Sequence, residues 1–159
     1  MNRSFVIGDT HFGHKKVIEF ESVKRPFETI EEHDAELVKR WNSVVKKKDT
    51  VWHLGDVLFG KGSFEILGQL NGVKKLVMGN HDKYHASEYL KYFSQVVGST
   101  QYKGYLLTHI PIHPSQLFRY KGNIHGHLHS SEIDDVRYIC VSAEHINLTP
   151  LCLQDVINE

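Results

Sequence analysis

Five apolar runs, each leading into a small or metal-binding residue, constrain this chain more than anything else in it. Val51-Trp-His-Leu-Gly-Asp56 shows the pattern in its barest form: an apolar run, a glycine, then a carboxylate. Ser4-Phe-Val-Ile-Gly8 leads into Asp9-Thr-His11, and Lys74-Lys-Leu-Val-Met78 into Gly79-Asn-His-Asp82. Tyr105-Leu-Leu-Thr108 leads into His109, and the brief Asn123-Ile124 into His125-Gly-His127-Leu-His129. Short apolar runs bounded by turn residues read as buried strands. In an α/β sheet, residues just past the carboxyl ends of the strands face the crevice where ligands sit.

Helical patterns separate the first runs. Thr29-Ile-Glu-Glu32 is a capping box, and Ile30, Leu37, Trp41, Val44 and Val45 follow it on a helical stripe. Lys46-Lys-Lys48 places positive charge at the helix's negative pole. His33, among acidic residues near the helix start, is expected at the surface. A shorter helix is expected from Phe64 to Leu70, stopped by Asn71-Gly72, and another from Ser87 to Phe93. Three βα-type units in series imply parallel strands. Val17 to Phe20 is too short to assign, and Glu21 to Phe27 reads as a loop broken at Arg25-Pro26. Gln101 to Tyr105 reads as a hairpin turned at Lys103-Gly104. Arg137 to Val141 and Leu151 to Leu153 are expected to be closing strands.

At 159 residues the chain is expected to be one domain, 1–159. Lys+Arg and Asp+Glu are equal at 19 each, which argues against strong binding of long nucleic-acid polymers. Cys140 and Cys152 lie in apolar runs and form no Cys-x-x-Cys, so buried reduced thiols are expected, with a disulfide as the alternative. No apolar run approaches the ~18–20 residues needed to span a membrane, and no signal peptide is evident. A cytoplasmic protein is expected. Histidine is the anomaly: twelve are present, several at the ends of apolar runs. Neutral imidazole is the commonest protein metal ligand.

The strand-end residues are Asp9, His11, Asp56, Asn80, His81, His109, His127 and His129. In Asp9-x-His11 and His127-x-His129 the spacing of two puts both side chains on one side of an extended segment. A mixed oxygen and nitrogen set without sulfur suits Mn²⁺, Fe or Zn²⁺. There are too many candidates for one tetrahedral site. Two ions sharing a carboxylate fit the number better, and such pairs serve in-line displacement at phosphorus.

Taken in order, Asp9-x-His11, Gly55-Asp56, Gly79-Asn-His-Asp82, His109 and Gly126-His127-x-His129 resemble the motifs of the calcineurin-like metallophosphoesterases. They span residues 9 to 129, most of the chain, and the ordered set is far more specific than any member. The resemblance implies a four-layer α/β/β/α sandwich with two divalent ions at the strand ends. It assigns Asp9, His11 and His129 to the first ion, Asn80, His109 and His127 to the second, and Asp56 to both. His81 would not be a ligand but the acid that protonates the leaving oxygen. The nucleophile would be water or hydroxide between the metals. Mn²⁺ is the favoured ion, with Fe²⁺, Zn²⁺ and Ni²⁺ as alternatives.

One departure is informative. The Ser/Thr-phosphatase branch follows its Gly-Asp with an Asp-Arg pair whose Arg grips phosphate; here the chain reads Val57-Leu-Phe-Gly60. The grip must then come from His14, from Arg25, or from the metals and His81 alone. The chain is similar to the small uncapped prokaryotic and phage members. A phosphodiesterase acting on a small nucleotide-like or cyclic phosphoester is the leading expectation. A phosphomonoesterase, and then a non-catalytic interaction scaffold, are the alternatives. His53 and His125 are expected to support neighbouring residues, His113 to line the entrance, and His85 and His145 to be structural or exposed.

Overall fold

The computed structural model describes residues 1–158. In chain order the elements are β1 (Ser4–Ile7), α1 (Val17–Phe20), α2 (Ile30–Val44), β2 (Thr50–His53), α3 (Phe64–Leu67), β3 (Val73–Val77), α4 (Ala86–Tyr89), β4 (Gln95–Val97), β5 (Thr100–Tyr102), β6 (Tyr105–Thr108), β7 (Gly122–His125), β8 (Tyr138–Cys140), β9 (Leu151–Cys152) and α5 (Leu153–Asn158). They build two sheets. The first has the order β4-β3-β2-β1-β9, the second β5-β6-β7-β8. β1 to β4 are parallel, and β9 runs antiparallel to β1. β6, β7 and β8 are parallel, with β5 antiparallel to β6.

β1 and β2 are apolar along most of their length because parallel strands are covered on both faces; Phe5, Val6, Ile7 and Val51 are all buried. Leu107, Ile124 and Val141 from the second sheet join Phe5, Ile7, Leu54 and Val77 from the first in one core. This is the α/β arrangement of two packed sheets expected from the sequence. The layer outside the second sheet is thin. It is the segment after β6, with a 3₁₀ helix at Pro114–Arg119, tied down where Tyr138 Oη donates to Ile112 O at 2.7 Å.

α2 starts where Thr29 Oγ1 accepts from Glu32 N. Its buried residues are Ile30, His33, Leu37 and Trp41. The expectation of a surface His33 is therefore corrected: 30, 33, 37 and 41 follow the three-and-four spacing of a single helix face, Glu31 and Glu32 are exposed, and Asp34 accepts from the His33 ring. The outer strand β4 was not anticipated, since Gln95-Val-Val97 is short and only half-buried. α3 and α4 are single turns, shorter than expected. The hairpin turns at Lys103 and Gly104, both with positive φ, as a two-residue hairpin turn requires. Cys140 and Cys152 are free thiols and half-buried rather than fully buried. No helix among the described residues is long and apolar enough to cross a membrane.

The two sheets are stitched together at one end. Gly8 N–H donates to Val141 O at 2.9 Å and Ala143 N–H to Gly8 O at 2.9 Å, so Gly8 bridges in parallel to Ser142. This junction brings the end of β1 against the ends of β7 and β8. Gly126 permits it, because a Cβ there would lie 2.5 Å from Asp9 Oδ2.

Candidate metal centre

Every one of the five runs delivers its terminal residues to this stitched end, but the backbone there is not extended. Asp9, His11, Asp56, His127 and His129 all have φ between 51° and 75°. That corrects the idea that Asp9 and His11, or His127 and His129, share a side by strand alternation. Left-handed backbone costs a non-glycine residue on the order of 1–3 kcal/mol and persists only where the surroundings over-determine it. Here five such residues converge on one place.

Their donor atoms fall into two groups. Asp9, His11 and His129 lie within 4.8 Å of one another, and so do Asp56, His109 and His127. Asn80 belongs with the second: its Oδ1 is 2.8 Å from His109 Nε2 and 3.1 Å from His127 Nδ1. Asp56 stands between the groups. Its Oδ1 accepts from His81 N–H at 2.9 Å, while its Oδ2 lies 3.6 Å from His11 Nε2 and 3.4 Å from His109 Nε2. Asp9 divides its oxygens in the same way. Oδ2 accepts from His127 N–H at 2.8 Å and from the Ser142 hydroxyl at 2.7 Å. Oδ1, 3.8 Å from His11 Nε2, is buried with no partner, and so is His11 Nε2 itself.

Tautomers follow from these partners. His109 Nδ1–H donates to Leu54 O at 2.7 Å, which leaves Nε2 as a lone pair facing Asn80 Oδ1. His129 Nδ1–H donates to Glu144 Oε2 at 2.9 Å, leaving its Nε2 free. His11 Nδ1 and His14 Nδ1 are 3.0 Å apart. With His11 Nε2 presented as a lone pair, its Nδ1–H donates to His14, and His14 keeps its proton on Nε2. Lone pairs thus point at lone pairs across the centre, and buried polar atoms of this kind require a partner. A divalent cation satisfies each group, and a donor set of carboxylate, amide oxygen and imidazole suits Mn²⁺, Fe²⁺ or Zn²⁺. In a third cluster, Glu21, His129 and Glu144, Glu144 Oε2 already accepts from both Arg25 and His129, while its Oε1 is buried without a partner.

The electrostatics agree. Burial opposes ionisation of Asp9, but the neighbouring His11 and His109 imidazoles and the Ser142 hydroxyl outweigh it and hold the carboxyl at about 2. Asp56 is held below the usual carboxylate range in the same way, against burial, by His109 and His11. His14 is pushed down to about 4 by burial and by the surrounding imidazoles.

His81 lies outside both groups. It is exposed, with its ring 6.4 Å from that of His11 and 5.4 Å from Phe59. His14 is half-buried and stacks on Phe59 with centroids 3.8 Å apart. Phe59 therefore fills the stretch where the Asp-Arg pair is missing. Arg25 is corrected as a phosphate contact: it is fully buried, with its guanidinium spent on Asp9 O, Thr10 O, His33 and Glu144. His113 does not line the centre; it caps the 3₁₀ helix by accepting from Ser115 N at 3.2 Å. His125 bonds Gly126 O at 2.8 Å and touches no candidate ligand. His53 supports the turn: its Nδ1 accepts from Gly55 N–H at 3.0 Å and its Nε2–H donates to Thr10 Oγ1 at 2.8 Å.

Three supporting residues carried no assignment from the sequence. Asp82 accepts from the backbone N–H groups of Asp56, Val57 and Gly79 at 2.7–3.0 Å, clamping two strand ends together. Its place in Gly79-Asn-His-Asp82 was the available signal. Ser142 and Glu144 follow the apolar run ending at Val141 and so repeat the strand-end pattern. The motif does not single them out, because serine is not a metal-type residue and Glu144 lies three residues past the run.

Residues 3–147 match the model of the calcineurin-like phosphoesterase superfamily domain. A curated, uncharacterized protein of Methanocaldococcus jannaschii is 34% identical over 171 residues, covering 99% of this chain and 90% of the relative. The gene 66 protein of Mycobacterium phage L5 is 43% identical over 90 residues, which is 54% of this chain and 42% of that protein. Among solved structures, a protein of unknown function from Aquifex aeolicus matches with a TM-score of 0.79 at 25% identity, over 99% of both chains. A structure described as a novel archaeal phosphodiesterase shares the fold, with a TM-score of 0.50 at 19% identity over 87% of this chain and 82% of that one. The chain belongs to the calcineurin-like phosphoesterase superfamily, and its two groups of aspartate and histidine donors are candidate sites for the divalent metals such enzymes use.

Proposed function

We propose that the chain is a metal-dependent phosphodiesterase that hydrolyses a small nucleotide-like or cyclic phosphoester. One observation carries the reading: Asp56 Oδ2 faces both donor groups at once, beside an Asp9 oxygen and a His11 nitrogen that are buried and unpartnered. Asp9, His11 and His129 would hold one ion, Asn80, His109 and His127 the other, with Asp56 shared. Two such ions, Mn²⁺ by preference, supply Lewis-acid polarisation of the phosphoryl oxygens and water of lowered pKa.

The protein's own residues do the rest. His81 is exposed beside the centre with its backbone pinned to Asp56, which suits a group that protonates the departing oxygen. General acids of this kind contribute typically about 10²–10⁴-fold. His14, its Nδ1 turned toward His11, offers Nε2–H as a donor to a phosphoryl oxygen. Arg25, buried and engaged elsewhere, gives a dianionic monoester no grip, which favours a diester monoanion. An exposed His81 and Asn80 leave room for a second ester arm. Free thiols at Cys140 and Cys152 suit a reducing, cytoplasmic setting.

The test is a panel of Mn²⁺, Fe²⁺, Ni²⁺ and Zn²⁺ against bis-p-nitrophenyl phosphate, p-nitrophenyl phosphate and 2′,3′-cyclic nucleotides. Metal-dependent turnover of the diesters, above that of the monoester, is expected. Preference for the monoester would make the chain a phosphomonoesterase, and no turnover of any ester would remove the enzymatic reading.

A further inference from the structure

Beneath the first donor group lies a closed network of buried charge. Arg25 is fully buried. Its Nε–H donates to Glu144 Oε2 at 2.8 Å, and one terminal nitrogen donates to Thr10 O at 2.9 Å and to His33 Nε2 at 2.9 Å. The other terminal nitrogen donates to Asp9 O. Because His33 Nε2 accepts, its Nδ1–H donates to Asp34 Oδ1 at 2.8 Å. Asp34 Oδ2 then accepts from Gly13 N–H at 2.9 Å. The network leaves the Asp9–Gly13 loop at one end and returns to it at the other.

We propose that Arg25 and Glu144 are positioning residues that hold Asp9, His11 and His129 in the geometry that takes up the first ion. The proposal rests on the metal-centre reading above. The backbone argument comes first. Asp9 and His11 carry φ values of 57° and 51°, a conformation that must be imposed from outside. Arg25 grips the carbonyls of Asp9 and Thr10 within that turn, and its planar fork with five donors holds both together with Glu144 and His33. A lysine has three donors on one atom and would leave one of these four partners unmet.

The tautomer argument is independent of the backbone. Glu144 Oε2 accepts from His129 Nδ1–H at 2.9 Å, so His129 presents Nε2 as a lone pair toward Asp9 and His11. A carboxylate behind a ligating imidazole fixes its ring and raises its basicity, and losing such a partner typically costs 10–100-fold in metal affinity. Arg25 in turn fixes Glu144. One cation therefore governs the left-handed turn through two carbonyls and His129 through one carboxylate. The second donor group has a different support: His109 Nδ1–H donates to a backbone carbonyl, Leu54 O, with no charged side chain behind it.

Fold stability alone does not explain the pair. A buried ion pair is often replaceable by apolar residues without loss of stability. That separates the two roles experimentally. Arg25→Met/Glu144→Gln removes both charges together, so no lone charge is left buried. Mn²⁺ binding to chelator-stripped protein is measured by calorimetry in the His127→Ala background, where the first group is left to bind. It is also measured in the His129→Ala background, where the second is. With a cooperative melting transition retained, the double variant should weaken binding about 10–100-fold in the first background and leave the second unchanged. Unchanged affinity in the first background, or equal losses in both, would overturn the proposal. A parent protein that takes up no Mn²⁺ would remove the metal-centre reading along with it. A second measurement needs no variant: long-range proton–nitrogen NMR of the metal-free parent should show His129 with its proton on Nδ1. A proton on Nε2 would contradict the proposal even if the double variant failed to fold.

Discussion

The two halves of the candidate centre are built differently. Asp9, His11 and His129 come together where the two sheets are stitched at Gly8 and Ser142, and the network through Arg25 braces them from below. In the second half Asn80 is exposed, His127 half-buried and His109 buried, and the supports are main-chain atoms and Asp82. Both halves draw on both sheets and on left-handed backbone, at Asp9, His11 and His129 in the first and at His127 in the second; only the first has a buried arginine behind it. Asp56, with one oxygen held by His81 N–H and the other open to both groups, is the residue the two halves have in common.

That comparison can be broken at its centre. Asp56→Asn should remove metal-dependent hydrolysis by more than the ~10²–10³-fold that one electrostatic group is typically worth, while circular dichroism shows a folded chain. Wild-type turnover in that variant would end the idea of a shared ligand. His81→Ala comes next. It should lower kcat by about 10²–10⁴-fold, most for esters with poor leaving groups, and leave two ions bound. Loss of an ion on elemental analysis would instead make His81 a ligand.

Milder changes sharpen the contrast. His127→Ala opens the second half alone; the protein should bind one ion, and activity should partly return as Mn²⁺ is raised. Two tightly held ions in that variant would remove His127 from the ligand set. Phe59→Ala should have the smallest effect. It removes the stacks on His14 and on His11, with centroids 3.8 and 4.9 Å apart, contacts worth about 0.5–1.5 kcal/mol each. A small fall in melting temperature is expected, with metal content unchanged. A large loss of metal would show that the stack on His11 holds that residue in its ligating position.

Much of this was legible in the sequence because strand-end chemistry is local. Asp9, His11, Asp56, Asn80, His109, His127 and His129 each follow an apolar run closely, and a run with its terminus can be read from neighbours alone. The parallel order of β1, β2 and β3 followed from the helices between them. The brace was not legible. Arg25 meets Glu144 across 119 residues, and nothing beside Arg25-Pro26 distinguishes a buried fork from a solvated one. His33 was within reach, since the stripe through Ile30, Leu37 and Trp41 includes its position. Its exposed neighbours Glu31 and Glu32 point the wrong way, while Asp34 is its hydrogen-bond partner. The left-handed turns were hidden as well: Asp9-x-His11 has the spacing of an extended segment, and the contacts made at that turn, Gly126 against Asp9 and Arg25 on the Asp9 and Thr10 carbonyls, come from distant parts of the chain.

The most direct measurement is the electron paramagnetic resonance spectrum of the chelator-stripped protein titrated with Mn²⁺. Two ions about 3.5–4 Å apart, bridged by the carboxylate of Asp56, should give the multiline signal of a spin-coupled pair at two equivalents, and Asp56→Asn should abolish it. A six-line spectrum of isolated Mn²⁺ at every ratio would contradict the shared centre.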